Sequence, residues 1–476
     1  MTAPRHTAVV GGGLAGITAA LALADRGHRV TLLETRPRLG GLAFSFHRDS
    51  PAGRLTVDNG QHVHLRCCTA YRAFLHRVGG AALAPLQPRL DVPVLDAAGG
   101  RAGRIRRAAL PVPFHLAGTL ARYPHLSTAE RAAVPRAVLA LRRLDPADPA
   151  LDGQDFAGWL RRHGQSDRAI TALWDLIGVA TLNARAADVS LALAAMVFRT
   201  GLLTDPGAAD IGVARVPLGT LHHTLALAAL DRAGVTTRLA TRTRALRPAP
   251  GGGWHLVLGT RGPGAENPAV RELTADAVIL AVPQDAARRL LPAGAVPDPE
   301  RLDGIGTAPI LNAHVLYDRT VSRRPFFAAI GGPVQWVFDR TRASGARGGQ
   351  YLVLSQSAAG EEIGLPADVL RERYLPELAR LLPAARTARV VDFFVTRERA
   401  ATFAPAPGVG RLRPGPVTRA PGLHLAGAWT ATGWPATMEG AVRSGVAAAR
   451  AAATGLLTPD RHSAADSAVD SIKETT

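Results

Sequence analysis

The sequence predicts an α/β fold: a Rossmann-like, dinucleotide-binding domain with a central parallel sheet, and a second, α+β domain interleaved with it. Three observations carry that reading. The first is Gly11-Gly12-Gly13-Leu14-Ala15-Gly16, between an apolar strand, His6 to Val10, and an Ala/Leu-rich helix to about Arg26. Gly11, Gly13 and Gly16 fit the G-x-G-x-x-G fingerprint, which needs a tight turn, a close backbone approach to pyrophosphate and helix–strand packing. Leu14 and Ala15 open a helix whose N–H groups face the phosphates. The second is Glu34-Thr35, roughly 20 residues on, after a strand from Arg29 to Leu33; an acid there takes ribose hydroxyls and repels a 2′-phosphate. The third is Asp276 to Pro283, an apolar run of the kind buried on both faces of a parallel sheet.

The rest of the chain follows in order. Arg38-Leu39-Gly40-Gly41-Leu42 lets backbone run close to a diphosphate or a ring system. Ala43 to Phe46 and Leu55 to Val57 read as strands, and Thr69 to Arg77 as a helix stopped by Gly79-Gly80. Residues 85–113 are broken by Pro and Gly, with strand-like pieces such as Val92 to Leu95. His115 to about Arg143, Asp155 to His163, Asp167 to Leu182 and Leu191 to Leu203 carry helical periodicity. A helix from Val216-Pro217-Leu218-Gly219 to about Ala233 precedes short strands in Thr236 to Leu246 and Trp254 to Leu258. Residues 309–317, 326–338 and 350–357 alternate like a second sheet, followed by a helix, Val369 to Leu382, and a strand, Val390 to Thr396. Leu423 to Ala426 is a strand, Gly427 a turn and Thr437 to Thr454 a helix.

At 476 residues the chain exceeds one ordinary core, so two domains are expected. The first takes residues 1–80, 209–300 and 405–457; the second takes 81–208, largely helical, and 301–404, largely sheet; 458–476 is a polar tail. The formal charge is +18, yet of 56 basic residues only Lys473 is a lysine. That arginine dominance, beside heavy Ala, Gly and Pro, matches a GC-rich genome. No basic run is interleaved with aromatics, which argues against nucleic acid. Cys67 and Cys68 are adjacent and lack metal-ligand spacing, which fits a reducing cytoplasm and no metal. No apolar run reaches the roughly 18–20 residues that span a bilayer; Ser190 to Phe198 comes nearest and ends at Arg199. Peripheral contact with anionic lipid on the inner face of the cell membrane is the expected use of the charge.

The fingerprint, Glu34, Gly40-Gly41 and the stretch Leu425-Ala426-Gly427-Ala428-Trp429 … Met438-Glu439-Gly440-Ala441-Val442-Arg443 resemble the flavin-containing amine oxidase and phytoene desaturase superfamily. Within it, Asp58-Asn59-Gly60-Gln61-His62, Leu173-Trp174-Asp175, Ala180-Thr181-Leu182-Asn183, Gln335 to Arg340 and Ala401-Thr402-Phe403 resemble the squalene-associated FAD-dependent desaturases, better described as hydroxysqualene dehydroxylases. The resemblance covers about residues 6 to 452. Three positions depart from it: Leu42 where Arg is common, Ala428 where Asp is common, and Thr243 where a Val usually offers its backbone to adenine.

The resemblance implies FAD as cofactor, held by the glycines and Glu34-Thr35, by Gly60-Gln61-His62, by Thr243, by Gly427-Ala428 and by Thr437, Met438 and Ala441. The helix starting near Thr437-Met438 would set its dipole against the flavin edge where charge gathers on reduction. It further implies reductive removal of the hydroxyl of hydroxysqualene to give squalene, a step of hopanoid precursor biosynthesis, beside an upstream prenyl synthase-like enzyme. His62 is the candidate proton donor, since a near-neutral imidazole suits proton delivery; His64, Asp339 and Glu398 are alternatives, and a hydrogen-bonded structural histidine is the plain one. Asp58 as a turn cap, Glu439 as a helix cap, and Trp336, Phe338 and Phe403 as core residues or tunnel lining complete the reading. A carotenoid-type desaturase, an amine oxidase and a lipid-binding scaffold without turnover are the competing functions. The amine oxidase is disfavoured because that family often keeps a lysine near its flavin.

Overall fold

A computed structural model describes residues 4–260 and 269–455. At its centre is a five-stranded parallel sheet. His6–Val10 (β1) pairs with Arg29–Leu33 (β2) on one side and with Ala277–Leu280 on the other. Thr236–Arg238 and Leu423–Leu425 extend it outward. All residues of β1 are buried, as a strand covered on both faces requires, with His6 hydrogen-bonded to Thr274 O and Thr31 Oγ1. The helix Leu14–Ala24 (α1) follows β1 directly and packs against the terminal helix Met438–Gly455. Gly11 has a φ of +110°, and a Cβ on Gly16 would clash with the Gly11 carbonyl oxygen, so turn and helix can meet only as glycines.

A seven-stranded sheet stands beside this layer. The long pair Ala308–Tyr317 and Val390–Thr402 forms one side, and Gln350–Gln356, Trp336–Asp339, Phe326–Ile330, Asp91–Asp96 and Ala102–Arg106 complete it. Helices from 114 to 203 cover one end, with Phe156, Trp159, Trp174 and Phe198 stacked in their core.

Some expected elements differ. The helical stretch from His115 to Arg143 is broken: Ala117–Ala121 ends before Tyr123-Pro124, and Thr128–Arg143 starts afresh from a Ser127–Glu130 capping box. The strand expected over 326–338 is a hairpin of Phe326–Ile330 and Trp336–Asp339, turned at Gly331-Gly332-Pro333. Ala102–Arg106 and Ala269–Ala275 are strands that no clean apolar alternation announces. The tail expected from residue 458 lies outside the described residues.

Several histidines are folded in as neutral groups. His222 Nδ1 donates to Ala43 O at 3.0 Å, so its Nε2 accepts from the Tyr71 hydroxyl at 2.8 Å. Burial lowers His222, His64 and His424 to about 4 and His314 to about 3. The unfolded chain therefore binds these protons first, below the ordinary value of 6.5. Their contribution to stability is complete above that pH and is lost as pH falls toward 4. The melting temperature should hold above about pH 6.5 and fall steeply below it; a flat profile down to about pH 4.5 would contradict neutral burial.

Candidate functional site

One continuous cavity of about 2030 Å³ runs from the C-terminal ends of the parallel strands, across one face of the large sheet, and in among the helices. That exceeds the roughly 300–1,000 Å³ of an ordinary ligand pocket, so there is room for a dinucleotide and a second large ligand. Every residue expected to hold the cofactor borders it except Gly16, which sits behind the turn.

The groove end is built by the glycine turn and its acid. Glu34 accepts Gly12 N–H at 2.6 Å through one carboxylate oxygen and Arg36 N–H at 2.7 Å through the other. The acid therefore braces the phosphate turn as well as facing the groove. Gly13 and Gly41 face each other so closely that a Cβ on Gly41 would stand 2.9 Å from Gly13 Cα. Thr243 borders the same groove with its buried Oγ1 lacking any partner. A backbone slot between glycines and an orphaned polar atom beside it both fit an FAD, whose diphosphate needs the slot and whose adenine has hydrogen-bonding edges.

The two departures in the flavin loops are braced by other means. Gly427 N–H donates to Ser444 Oγ at 2.8 Å, and Arg413 donates to the carbonyls of Ala428, Trp429 and Trp434. Arg413 is buried with its guanidinium over the Phe403 ring, and that burial lowers it to about 10. Beside Leu42, Arg38 lies over Phe44 and donates to Gly41 O at 3.1 Å, placing a guanidinium in the loop where Leu42 provides none. Thr437 caps the terminal helix, its Oγ1 accepting Gly440 N–H at 3.1 Å, and that helix end opens onto the cavity.

At the join between groove and helices lies a polar cluster. Asp58, expected as a turn cap, instead forms a buried ion pair with Arg340 at 2.7 Å and accepts from Ser45 Oγ and Leu218 N–H. Arg340 also donates to the carbonyls of Ala214 and Val216. This fixes Asn59, which accepts Phe44 N–H and donates to Leu42 O and to Glu398 Oε1 at 3.0 Å. His62 is half-buried against the cavity, its Nδ1 3.2 Å from Gly60 O. Burial holds its pKa below 6.5, opposed by that carbonyl and by the charges of Asp58 and Glu398.

The other candidates separate cleanly. His64 and Glu398 border the cavity; Asp339 does not, because its carboxylate accepts from Thr341 and Gln350, which removes it as a proton donor to this cavity. Glu439 is a cap, but of another helix: its oxygens accept Ala70 and Tyr71 N–H groups at the start of Thr69–Val78. Trp336, Phe338 and Phe403 line the cavity and belong to the core at once. Trp174 and Asp175 hold their helices together through Gln165 and Ala186 N–H. Sequence reasoning missed Asn312 and Ser355, whose only signal is a polar side chain within a mainly apolar strand that also holds other polar residues.

Gly13→Val tests the slot. The nearest atom to a Cβ on Gly13 is Gly41 Cα at 3.7 Å, so the cofactor-free fold should tolerate the side chain while the slot is filled. Gel-filtered protein should carry no flavin yet melt like cofactor-free wild type, whereas Gly16→Ala should lower the melting temperature itself. Stoichiometric FAD on Gly13→Val would contradict the assignment.

Comparison with known proteins bears on this site. A hydroxysqualene dehydroxylase of Rhodopseudomonas palustris is 30% identical over 93% of this chain and 96% of its own. A carotenoid phi-ring synthase of Streptomyces griseus is 31% identical over 93% of this chain and 87% of its own. The structure of cyclohexylamine oxidase from Brevibacterium oxydans superposes with a TM-score of 0.68 over 96% of this chain and 100% of that one, at 19% identity, a likeness of fold. The family described as flavin containing amine oxidoreductase matches residues 14–453, and the chain belongs to it as an FAD-dependent oxidoreductase.

Proposed function

We propose that this protein removes the hydroxyl of hydroxysqualene to give squalene. The observation that carries the reading is the shape of the cavity: an apolar chamber among helices that joins the flavin groove at one polar cluster. The names of the two relatives, one for a dehydroxylase and one for carotenoid chemistry, support an isoprenoid substrate. Bound reduced FAD supplies the hydride that replaces the hydroxyl.

The chain's own residues supply the rest. Leu173, Ile177, Val197, Trp336 and Phe403 wall the chamber and exclude water, so a carbon centre that loses its hydroxyl meets no competing nucleophile. His62 orients through Nδ1–H toward the Gly60 carbonyl, which leaves Nε2 as the atom that gains and delivers a proton. Because burial favours the neutral ring, the protonated fraction is small at neutral pH and grows as pH falls.

The decisive experiment is anaerobic incubation of the reduced, FAD-loaded protein with hydroxysqualene, followed by mass spectrometry. Squalene with oxidised flavin is the expected result. A desaturated product formed from oxidised enzyme selects the carotenoid-type reaction, and tight binding without any product selects the scaffold. In single turnover, His62→Ala and His62→Gln should both keep FAD and slow cleavage by about 10²–10⁴-fold. The wild-type rate should rise as pH drops from about 8 toward 6. A near-normal rate for His62→Gln would move the proton to Glu398 or His64.

An apolar substrate has to be collected from lipid. Among the described residues no helix is long and apolar enough to cross a membrane. Phe114 and Leu139 border the cavity with 61% and 49% of their surfaces exposed. With the +18 charge they suit peripheral docking on an anionic bilayer. Co-sedimentation with anionic vesicles should weaken as salt rises, since exposed charges are screened within about 10 Å at 0.1 M; equal binding to neutral vesicles would show the charge to be idle.

A further inference from the structure

Asn312 sits in the middle of the strand Ala308–Tyr317 with no solvent-exposed surface, and it borders the cavity. Its Nδ2 donates to the Asn59 carbonyl at 3.1 Å, while its Oδ1 has no partner. The orientation of the amide is fixed, because only the nitrogen can donate to that carbonyl. Thr396 Oγ1 donates to the same carbonyl, also at 3.1 Å. A buried acceptor left without a donor is costly and uncommon in a folded protein, so an orphan beside a ligand cavity marks a place for a ligand's donor.

Strand register shows what surrounds it. Asn312 lies opposite Thr396 on one neighbouring strand and Ser355 on the other, and Ser355 lies opposite Trp336. One row across the sheet therefore runs Thr396, Asn312, Ser355, Trp336: three polar positions, then an aromatic that lines the apolar chamber. On the cofactor side, a Cβ on Gly60 would come 3.2 Å from His62 Cε1 and 3.7 Å from Asn312 Nδ2, so His62 and Asn312 flank the same glycine. Asn312 and His62 therefore meet at Gly60, on the wall of the cavity that the apolar chamber shares with the flavin groove.

We propose that Asn312 Oδ1 accepts the hydroxyl hydrogen of an isoprenoid alcohol, so that the site reads an O–H on a hydrocarbon chain and selects the alcohol over the hydrocarbon product. This rests on the dehydroxylation reading above. A site that places a buried polar group against a substrate hydroxyl rejects the analogue lacking it, because that group is then left unpaired. Hydroxysqualene satisfies Asn312 and is held with its oxygen near His62. Squalene cannot satisfy it, so removal of the hydroxyl weakens the grip on the product and favours its release.

The test is equilibrium binding to the oxidised FAD-loaded protein, which holds the ligands without turning them over. Wild type should bind hydroxysqualene about ten-fold or more tighter than squalene. Its O-methyl ether, which accepts but cannot donate, should bind no tighter than squalene. Asn312→Leu should abolish the preference by weakening the alcohol alone, with flavin content and visible spectrum unchanged. The ether comparison uses the wild-type protein and stands even if the variant fails to fold. Equal binding of alcohol and hydrocarbon, or an ether that binds as tightly as the alcohol, overturns the assignment. So does an Asn312→Leu protein that keeps the preference but changes its flavin spectrum, since Oδ1 would then serve the cofactor. Turnover distinguishes the two levels: squalene formed without a binding preference sinks this inference alone, and a preference without squalene sinks the reaction.

Discussion

The buried ion pair between Asp58 and Arg340 ties together pieces of chain that are 282 residues apart, and the polar end of the cavity hangs from it. A charge taken out of water is expensive unless it is paired and its remaining hydrogen-bonding positions are filled. Here they are: Asp58 receives a hydroxyl and a backbone N–H besides the guanidinium, and Arg340 spends its other donors on two carbonyls. Removing one partner would leave the other charge buried and unpaired, a loss of about 3–5 kcal/mol in comparable settings. The next residue, Asn59, is thereby held in place, and Asn59 in turn bonds Glu398 and Asn312. The strands of the large sheet and the loop after the flavin-binding turn thus share a single anchor.

That anchor explains how one cavity can serve two unlike ligands. The groove offers backbone N–H groups and an acid, suited to a charged dinucleotide; the helices offer aliphatic and aromatic walls, suited to a hydrocarbon. The cluster of Asn59, His62, Asn312 and Glu398 lies where the two meet. Burial keeps His62 largely neutral there, so it adds little permanent charge to an apolar chamber and can still accept a proton for delivery. Its neighbours His64 and His222 are also kept neutral by burial, at about 4.

The nucleotide half was legible in the sequence because its signals are local: a strand, a glycine turn, a helix and an acid within the first 35 residues. The polar cluster was only half legible. Gly60-Gln61-His62 stood out as a motif, but the partner of Asp58, Arg340, lies just past a distant strand, and the row Thr396, Asn312, Ser355 exists only through strand register. Asn312 looks like one more buried polar residue, beside His314, until its neighbours are known. Helical periodicity overran the break at Tyr123-Pro124, since a Pro reads as a kink as readily as an end. Glu439 sits at a helix start, where pattern predicts a cap of that helix, but the helix it caps lies far away in sequence, beyond the reach of pattern reasoning.

The central claim is that flavin and hydrocarbon occupy one chamber and meet at the Asn59–His62–Asn312 cluster. The most direct measurement is titration of the oxidised, FAD-loaded protein with hydroxysqualene in detergent, following the flavin's visible absorption band alongside ligand bound. If the two ligands share the chamber, the band shifts saturably, with the same midpoint as binding. Saturable binding that leaves the flavin band unmoved would place the hydrocarbon elsewhere and contradict the account.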